Sequence, residues 1–184
     1  TGALSLYVDE AITSTTGGTQ SLSSASRIVL GSAQTNVAFY TGDINEVIVY
    51  SAVLNSAERI IISNYLSSKY AASLSSNDIY LQDNSGNGNY DYEVAGIGRV
   101  DASNLQNNAK GTGIVKILNP TDLGDNEFYM WGHDNGANVK NTTDVPSPVV
   151  SRMTRVWRGN EVNISGTAVD VGSVDVSYDL SSNG

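Results

Sequence analysis

The sequence predicts a mainly β fold: antiparallel β-sandwich structure in two consecutive units, with one α-helix at about residues 56–70. Three observations carry this. Short runs alternate apolar and polar residues, as in Leu4-Ser5-Leu6-Tyr7-Val8-Asp9, which is the period of a half-buried strand. Glycine- and asparagine-rich turns punctuate those runs, as in Asp83-Asn84-Ser85-Gly86-Asn87-Gly88-Asn89. A single stretch, Asn55 to Tyr70, carries a helix start and helical apolar spacing.

Taken in order, Leu4–Asp9 reads as a strand and Thr13–Ser26 as a Ser/Thr/Gly-rich loop around Gly17-Gly18. Arg27-Ile28-Val29-Leu30-Gly31 is a short strand ending on a turn glycine. Residues 33–37 form a polar loop. Ile44, Val47, Val49 and Tyr50 then fit a strand with one irregularity near Asn45-Glu46, the mark of a bulge. Asn55 can cap the helix, and Glu58 can reach back to the cap amide. Ile61, Tyr65, Leu54 and Lys69 fall along one stripe, with Ile62, Leu66 and Tyr70 adjoining. The small-residue stretch Ala71–Asn77 marks the domain boundary, giving units of 1–72 and 73–184. Further strands are expected at Ile79–Leu81, Tyr92–Val100, Gly113–Leu118, Phe128–Gly132, Met153–Trp157 and Val174–Tyr178. Gly96 and Gly98 sit inside a strand, where a backbone bends or is closely approached. No closing element follows the last strand before Gly184.

Composition excludes several function classes. The 184 residues carry 40 % hydrophobic and 16 % charged residues and a formal charge of −9, with a pI near 4.3. The ten Lys and Arg are scattered, whereas a phosphate backbone needs them clustered, so nucleic acid is not an expected partner. No apolar run approaches the roughly 20 residues of a membrane helix, so no membrane insertion is expected. Cysteine is absent, which removes disulfides and thiolate metal sites.

Candidate sites are few. Asp83, Ser85, Asn87, Asn89 and Asp91 place oxygen ligands at alternate positions with Gly88 for the turn, the opening of a calcium-loop pattern. The bidentate Glu belongs where Val94 stands, and Glu93 is one position short. The plain alternative is an Asn/Gly-rich turn between strands. Calcium is thus the one cofactor the residues suggest. Tyr80, Tyr90, Tyr92, Tyr129, Trp131 and Trp157 could stack on sugar rings, or serve as core and cross-strand pairs. Tyr90 and Tyr92 flank the polar loop and are the candidate ligand-binding pair. His133 is the sole histidine. Zinc needs more ligands of that kind, and no Gly-x-Ser-x-Gly motif accompanies it, so His133 reads as a loop-holding residue. Gly96-Ile97-Gly98-Arg99 is too short for a dinucleotide fingerprint. Asn141-Thr142-Thr143 and Asn163-Ile164-Ser165 match the glycosylation acceptor pattern, which chance also produces. No catalytic residue is assigned, and no enzyme is expected.

Two resemblances add to this reading. Ser5–Asp9, Ile28–Gly31, Phe39-x-x-Gly42-Asp43-Ile44-x-Glu46-Val47-x-Val49-Tyr50 and Ala52-Val53-Leu54-x-x-Ala57-Glu58 resemble the C-terminal half of a laminin-G/concanavalin-like jelly roll closed by the helix. Calcium-binding relatives carry acidic residues in the loop matching Ser32–Thr41, which has none here. Hydrolases of this fold carry Glu-x-Asp-x-x-Glu on one strand, and that spacing does not occur. The remainder, through Ile62–Tyr70, Val94–Arg99, Phe128-x-Met130-Trp131-Gly132-His133-Asp134-Asn135-Gly136, Arg155–Arg158 and Val174–Leu180, resembles a module that follows such domains in large surface proteins of gliding, Bacteroidetes-like bacteria. The resemblance implies a non-enzymatic segment of a secreted or bacterial cell-surface adhesin-like protein, binding a glycan or surface protein or acting as a spacer. The alternative is a non-catalytic carbohydrate-binding portion of a secreted carbohydrate-active enzyme. It also implies that an upstream half of the jelly roll, or another chain, covers residues 1–70.

Overall fold

The computed structural model describes residues 4–16, 29–32, 37–111 and 113–179. The chain divides into two compact units at Ala52/Val53. In the first, β1 (Leu4–Val8) and β2 (Ala11–Thr16) form an antiparallel hairpin. Asp9 and Glu10 both take positive φ, 47° and 70°, as a two-residue primed turn requires. Thr13–Thr16, expected to open a loop, thus belong to β2; the rest of that loop lies outside the described residues, as do Arg27 and Ile28 of the strand expected at 27–31, whose residues 29–31 are assigned to no strand. Residues 44–50, expected as a strand, are assigned to none. The large apolar side chains among the described residues of this unit lie at the surface: Phe39 is 72 % and Val49 68 % exposed, and Leu6, Val8, Ile12, Ile44 and Val47 are exposed as well.

The second unit starts with α1 (Ser56–Tyr70). Both halves of the capping box form: Glu58 N–H donates to Asn55 Oδ1 at 3.0 Å and Asn55 N–H to Glu58 Oε2 at 2.8 Å. Then follow a 3₁₀ turn (Ser85–Asn87) and β3 (Tyr92–Asp101), β4 (Asn104–Gln106), β5 (Asn108–Ala109), β6 (Val115–Leu118), β7 (Glu127–His133), β8 (Lys140–Asn141), β9 (Arg152–Met153), β10 (Trp157–Asn163) and β11 (Asp175–Tyr178). The main sheet runs β10-β7-β3-β4 and a second runs β11-β6-β5, while β8 and β9 pair with each other. Neighbours are antiparallel throughout these sheets.

Strand alternation distributes the core to both faces of the main sheet. Phe128, Met130, Val94 and Val162 pack with Ala57, Ile60 and Ile61 of α1 and with Ile79 and Tyr80. Ala95, Ile97 and Trp131 pack on Val115 and Ile117 of the second sheet. The unit is therefore a β-sandwich with a helix on its outer face. Glycines make the helix layer close enough. A Cβ on Gly96 would lie 2.9 Å from Met130 Cγ and 3.3 Å from Ile61, and one on Gly98 would enter the Phe128 ring.

Further expectations change in this unit: residues 154–156, expected inside a strand, separate β9 from β10, and three other readings shift. The helix packs on β3 and β4, so it sits in the second unit, and the division precedes it instead of following at 71–77. Its buried face is Ala57, Ile60, Ile61, Asn64, Ser67 and Ser68, rotated from the stripe through Ile61, Tyr65 and Lys69 and away from Ile62 and Leu66. Residues 79–81 join no strand. The Asn64 amide explains both of the last two changes. This side chain is fully buried. Its Oδ1 accepts from Ile79 N–H at 2.9 Å and Tyr80 N–H at 3.0 Å, and its Nδ2 donates to Ile60 O at 2.9 Å and Asn77 O at 2.8 Å. Every donor and acceptor of the amide is thereby used.

Replacing Asn64 by Ala orphans two buried N–H groups and one carbonyl. The expected loss is about 3 kcal/mol or more, read from urea denaturation of the intact chain. Val53→Ser, at a residue 98 % exposed, should change the same transition by less than about 0.5 kcal/mol.

Candidate functional site

The C-terminal half of α1, the 83–91 loop and the start of β3 enclose two adjoining clefts. The Asn64 amide fixes the chain at 79–80. Tyr80 then enters the core and donates its hydroxyl to Tyr90 O at 2.6 Å. Gly132 makes room for this contact, because a Cβ there would lie 2.3 Å from Tyr90 O and 2.5 Å from the Tyr80 hydroxyl. Asp83 docks on the helix through Ser68 Oγ at 2.9 Å. The same hydroxyl lies 2.9 Å from Asn64 O. Burial pushes the Asp83 carboxyl up, opposed by the Ser68 bond and reinforced by Asp78 and Asp91. Burial likewise raises Asp78.

The smaller cleft, about 270 Å³, is bordered by Ser67, Ser68, Asp78, Asp83, Asn89 and Asp91 among others. The larger, about 360 Å³, is lined by Tyr65, Ser68, Lys69, Asp91, Tyr92 and Glu93. Lys69 Nζ donates to the Tyr65 hydroxyl at 2.8 Å. Tyr92 is exposed. Asp91 borders both clefts, and its Oδ1 is buried with no hydrogen-bond donor among the described residues.

The alternating calcium set is only partly brought together. Asp83, Asn89 and Asp91 border the smaller cleft, whereas Ser85 and Asn87 belong to the 3₁₀ turn. That turn is closed by Asn84, whose Oδ1 accepts from Gly86 N–H at 2.8 Å, and ends on Gly88 at φ 104°. It directs the Asn87 amide back to Leu81 O at 2.6 Å. Among the described residues no three His, Asp or Glu side chains converge as metal ligands. The tyrosine pair also separates. Tyr92 lines the larger cleft, while Tyr90 lies beneath the Arg158 guanidinium, 5.7 Å from the ring centre, and against Gly88.

Sequence reasoning missed the group that supports Tyr92. The β3–β7 register pairs Tyr92 with His133 and Ala95 with Trp131, so β3 carries one extra residue there. At this bulge Glu93 takes φ 50°, a strained value for a non-glycine residue. Its Oε2 lies 2.7 Å from His133 Nε2 and 3.4 Å from Arg155 Nη1. Asn135 N–H donates to His133 Nδ1 at 3.0 Å. Nδ1 is therefore the acceptor, and Nε2 carries the proton given to Glu93. Tyr92 stacks on the imidazole at 6.0 Å, and Trp157 meets it edge-on at 6.1 Å. A one-residue bulge leaves no mark in apolar periodicity, and positive φ at Glu has no sequence signature. Both histidine nitrogens are engaged and the ring is buried, an arrangement suited to holding a site and not to proton transfer with a substrate.

Burial lowers the His133 pKa, the Glu93 hydrogen bond opposes this, and Arg155 adds to the lowering. Because the folded value lies below the unfolded one, the fold binds fewer protons at this residue. Its contribution to stability is present above the unfolded pKa of about 6.5 and is lost as pH falls below it. As the sole histidine, it should give one Cε1–H resonance by NMR, titrating with a midpoint below about 6.5. A midpoint above that value would contradict the buried neutral assignment.

No curated protein and no solved structure matches the chain. One family model matches residues 58–184, which take in most of α1, both clefts, the Glu93–His133 group and the sandwich sheets. That span is more than half of the sequence, and the chain accordingly belongs to the family described as a domain of unknown function (DUF8202).

Proposed function

We propose that this chain is a non-enzymatic segment of a secreted or cell-surface adhesin-like protein, and that it binds a glycan in the Tyr65–Tyr92 cleft. The observation that carries this reading is the lining of that cleft. Two tyrosines stand with Lys69, Glu93 and the unmet acceptor Asp91 Oδ1 around about 360 Å³. Sugars present flat C–H faces edged by hydroxyls, and aromatic rings with nearby charged acceptors and donors meet both. The acidic, Ser/Thr/Asn/Gly-rich composition and the resemblance to surface-protein modules support the same assignment. On this reading the surface apolar side chains of the first unit, Phe39, Ile44, Val47 and Val49, are covered by further β-structure from the same protein or another chain.

A glycan-array screen followed by calorimetric titration of the best glycan tests the proposal. Tyr92→Ala should weaken binding by about tenfold or more, while Tyr90→Ala, outside the cleft, should leave the affinity within about twofold. Absence of binding to any glycan, or equal losses in both variants with folding intact, would overturn the assignment.

A further inference from the structure

We infer that His133 is an acid-operated latch on the turn formed by Asp134, Asn135 and Gly136. Five bonds hold this turn. Asn135 N–H donates to His133 Nδ1 at 3.0 Å, Gly136 N–H to Asp134 Oδ1 at 2.9 Å, and Arg155 Nε to Gly136 O at 2.9 Å. Asp134 Oδ1 also accepts from Val156 N–H at 3.1 Å, and Asp134 N–H donates to Val156 O at 3.2 Å, joining the turn to the segment before β10. Asn135 sits at φ 58°, a left-handed conformation that needs support from its surroundings.

The imidazole can make its present bonds only while neutral. A proton arriving from solvent must bind at Nδ1, since Nε2 already carries one. An Nδ1–H cannot accept from Asn135, so that amide loses its acceptor and faces a donor of like polarity. The charged groups around the ring reinforce the change. From β3, Glu93 holds the imidazolium at Nε2, and Tyr92 lies on the ring face. From the segment before β10, Arg155 also approaches Glu93, so two cations then compete for one carboxylate. From the turn, Asp134 attracts the new cation with a carboxylate already accepting from Gly136 and Val156. Protonation thus removes the Asn135 bond outright and repels the guanidinium that holds Gly136 O, while the two Asp134–Val156 bonds keep the start of the turn in place. Burial of the neutral ring sets the threshold on the acid side of an ordinary histidine.

The inference stands apart from any glycan, and its test uses the intact chain without ligand. In ¹H–¹⁵N spectra recorded against pH, the Asn135 and Gly136 amide signals should move with the midpoint of the His133 ring. Amide exchange of Asn135, corrected for intrinsic pH dependence, should lose about tenfold in protection across it. Phe128 and Met130 in β7 should keep theirs. Glu93→Gln keeps an acceptor for Nε2–H and removes the charge, so the ring midpoint and the Asn135 transition should fall together. Asn135 signals constant through the His133 titration would overturn the latch. So would an Asn135 transition that stays in place while the ring midpoint moves in Glu93→Gln. If the variant does not fold, the wild-type titration decides alone.

Discussion

The Asn64 amide is the contact on which the second unit depends. The first half of α1 faces the sheet for an ordinary reason: Ala57, Ile60 and Ile61 bury apolar surface. The second half buries Asn64, Ser67 and Ser68, which gain nothing from leaving water unless each polar atom finds a partner. Asn64 finds all of its partners in one turn of its own helix and in residues 77–80. Ser67 donates to Ala72 O at 2.7 Å. The helix is thus an apolar clamp at one end and a hydrogen-bonded clamp at the other. Fixing 79–80 inserts Tyr80 beneath Gly132, and the Tyr80 hydroxyl then holds Tyr90 O. The loop between those tyrosines has little freedom left, and the two clefts are its consequence.

The parts of the molecule that were legible in the sequence are those whose signals are local. The helix start was, because Asn55 and Glu58 meet within one turn and require nothing from elsewhere. Much of the sandwich was, because Glu127–His133 and Tyr92–Asp101 bury alternate side chains on two faces and carry strand-forming residues. The helix stripe was misread because a fully satisfied Asn counts as polar in a periodicity argument, although it lies deeper than Ile62 or Leu66. Residues 79–81 have strand composition, but a side-chain amide takes the backbone bonds a ladder would have used. The short strands β4, β5 and β8 run for only two or three residues, too few to show a strand period.

At the candidate site the legible part was composition, and the illegible part was direction. The oxygen-rich loop from Asp83 to Asp91 was visible, yet alternate spacing assumes a strand-like path. Asn84 instead caps a 3₁₀ turn, which sends Asn87 away from Asp83, Asn89 and Asp91. Tyr90 and Tyr92 are two apart and would share a face of a regular strand. Tyr90 precedes the strand, and its carbonyl is held by Tyr80. The bulge at Glu93 follows Tyr92 and brings that carboxylate to His133 and Arg155. Strain at Glu93 is held by those two partners together, as a non-glycine residue at positive φ requires. Tyr92 therefore stands on a supported imidazole, which would give the proposed glycan contact a rigid base.

Amide hydrogen exchange at Ile79 and Tyr80 tests the central role of Asn64 most directly. If the amide ties this segment to the helix, both N–H groups should exchange only through the opening that exposes Ile97 and Phe128 in the sandwich core, with the same free energy. Exchange of Ile79 and Tyr80 at rates typical of surface loops, while the core amides stay protected, would contradict the account.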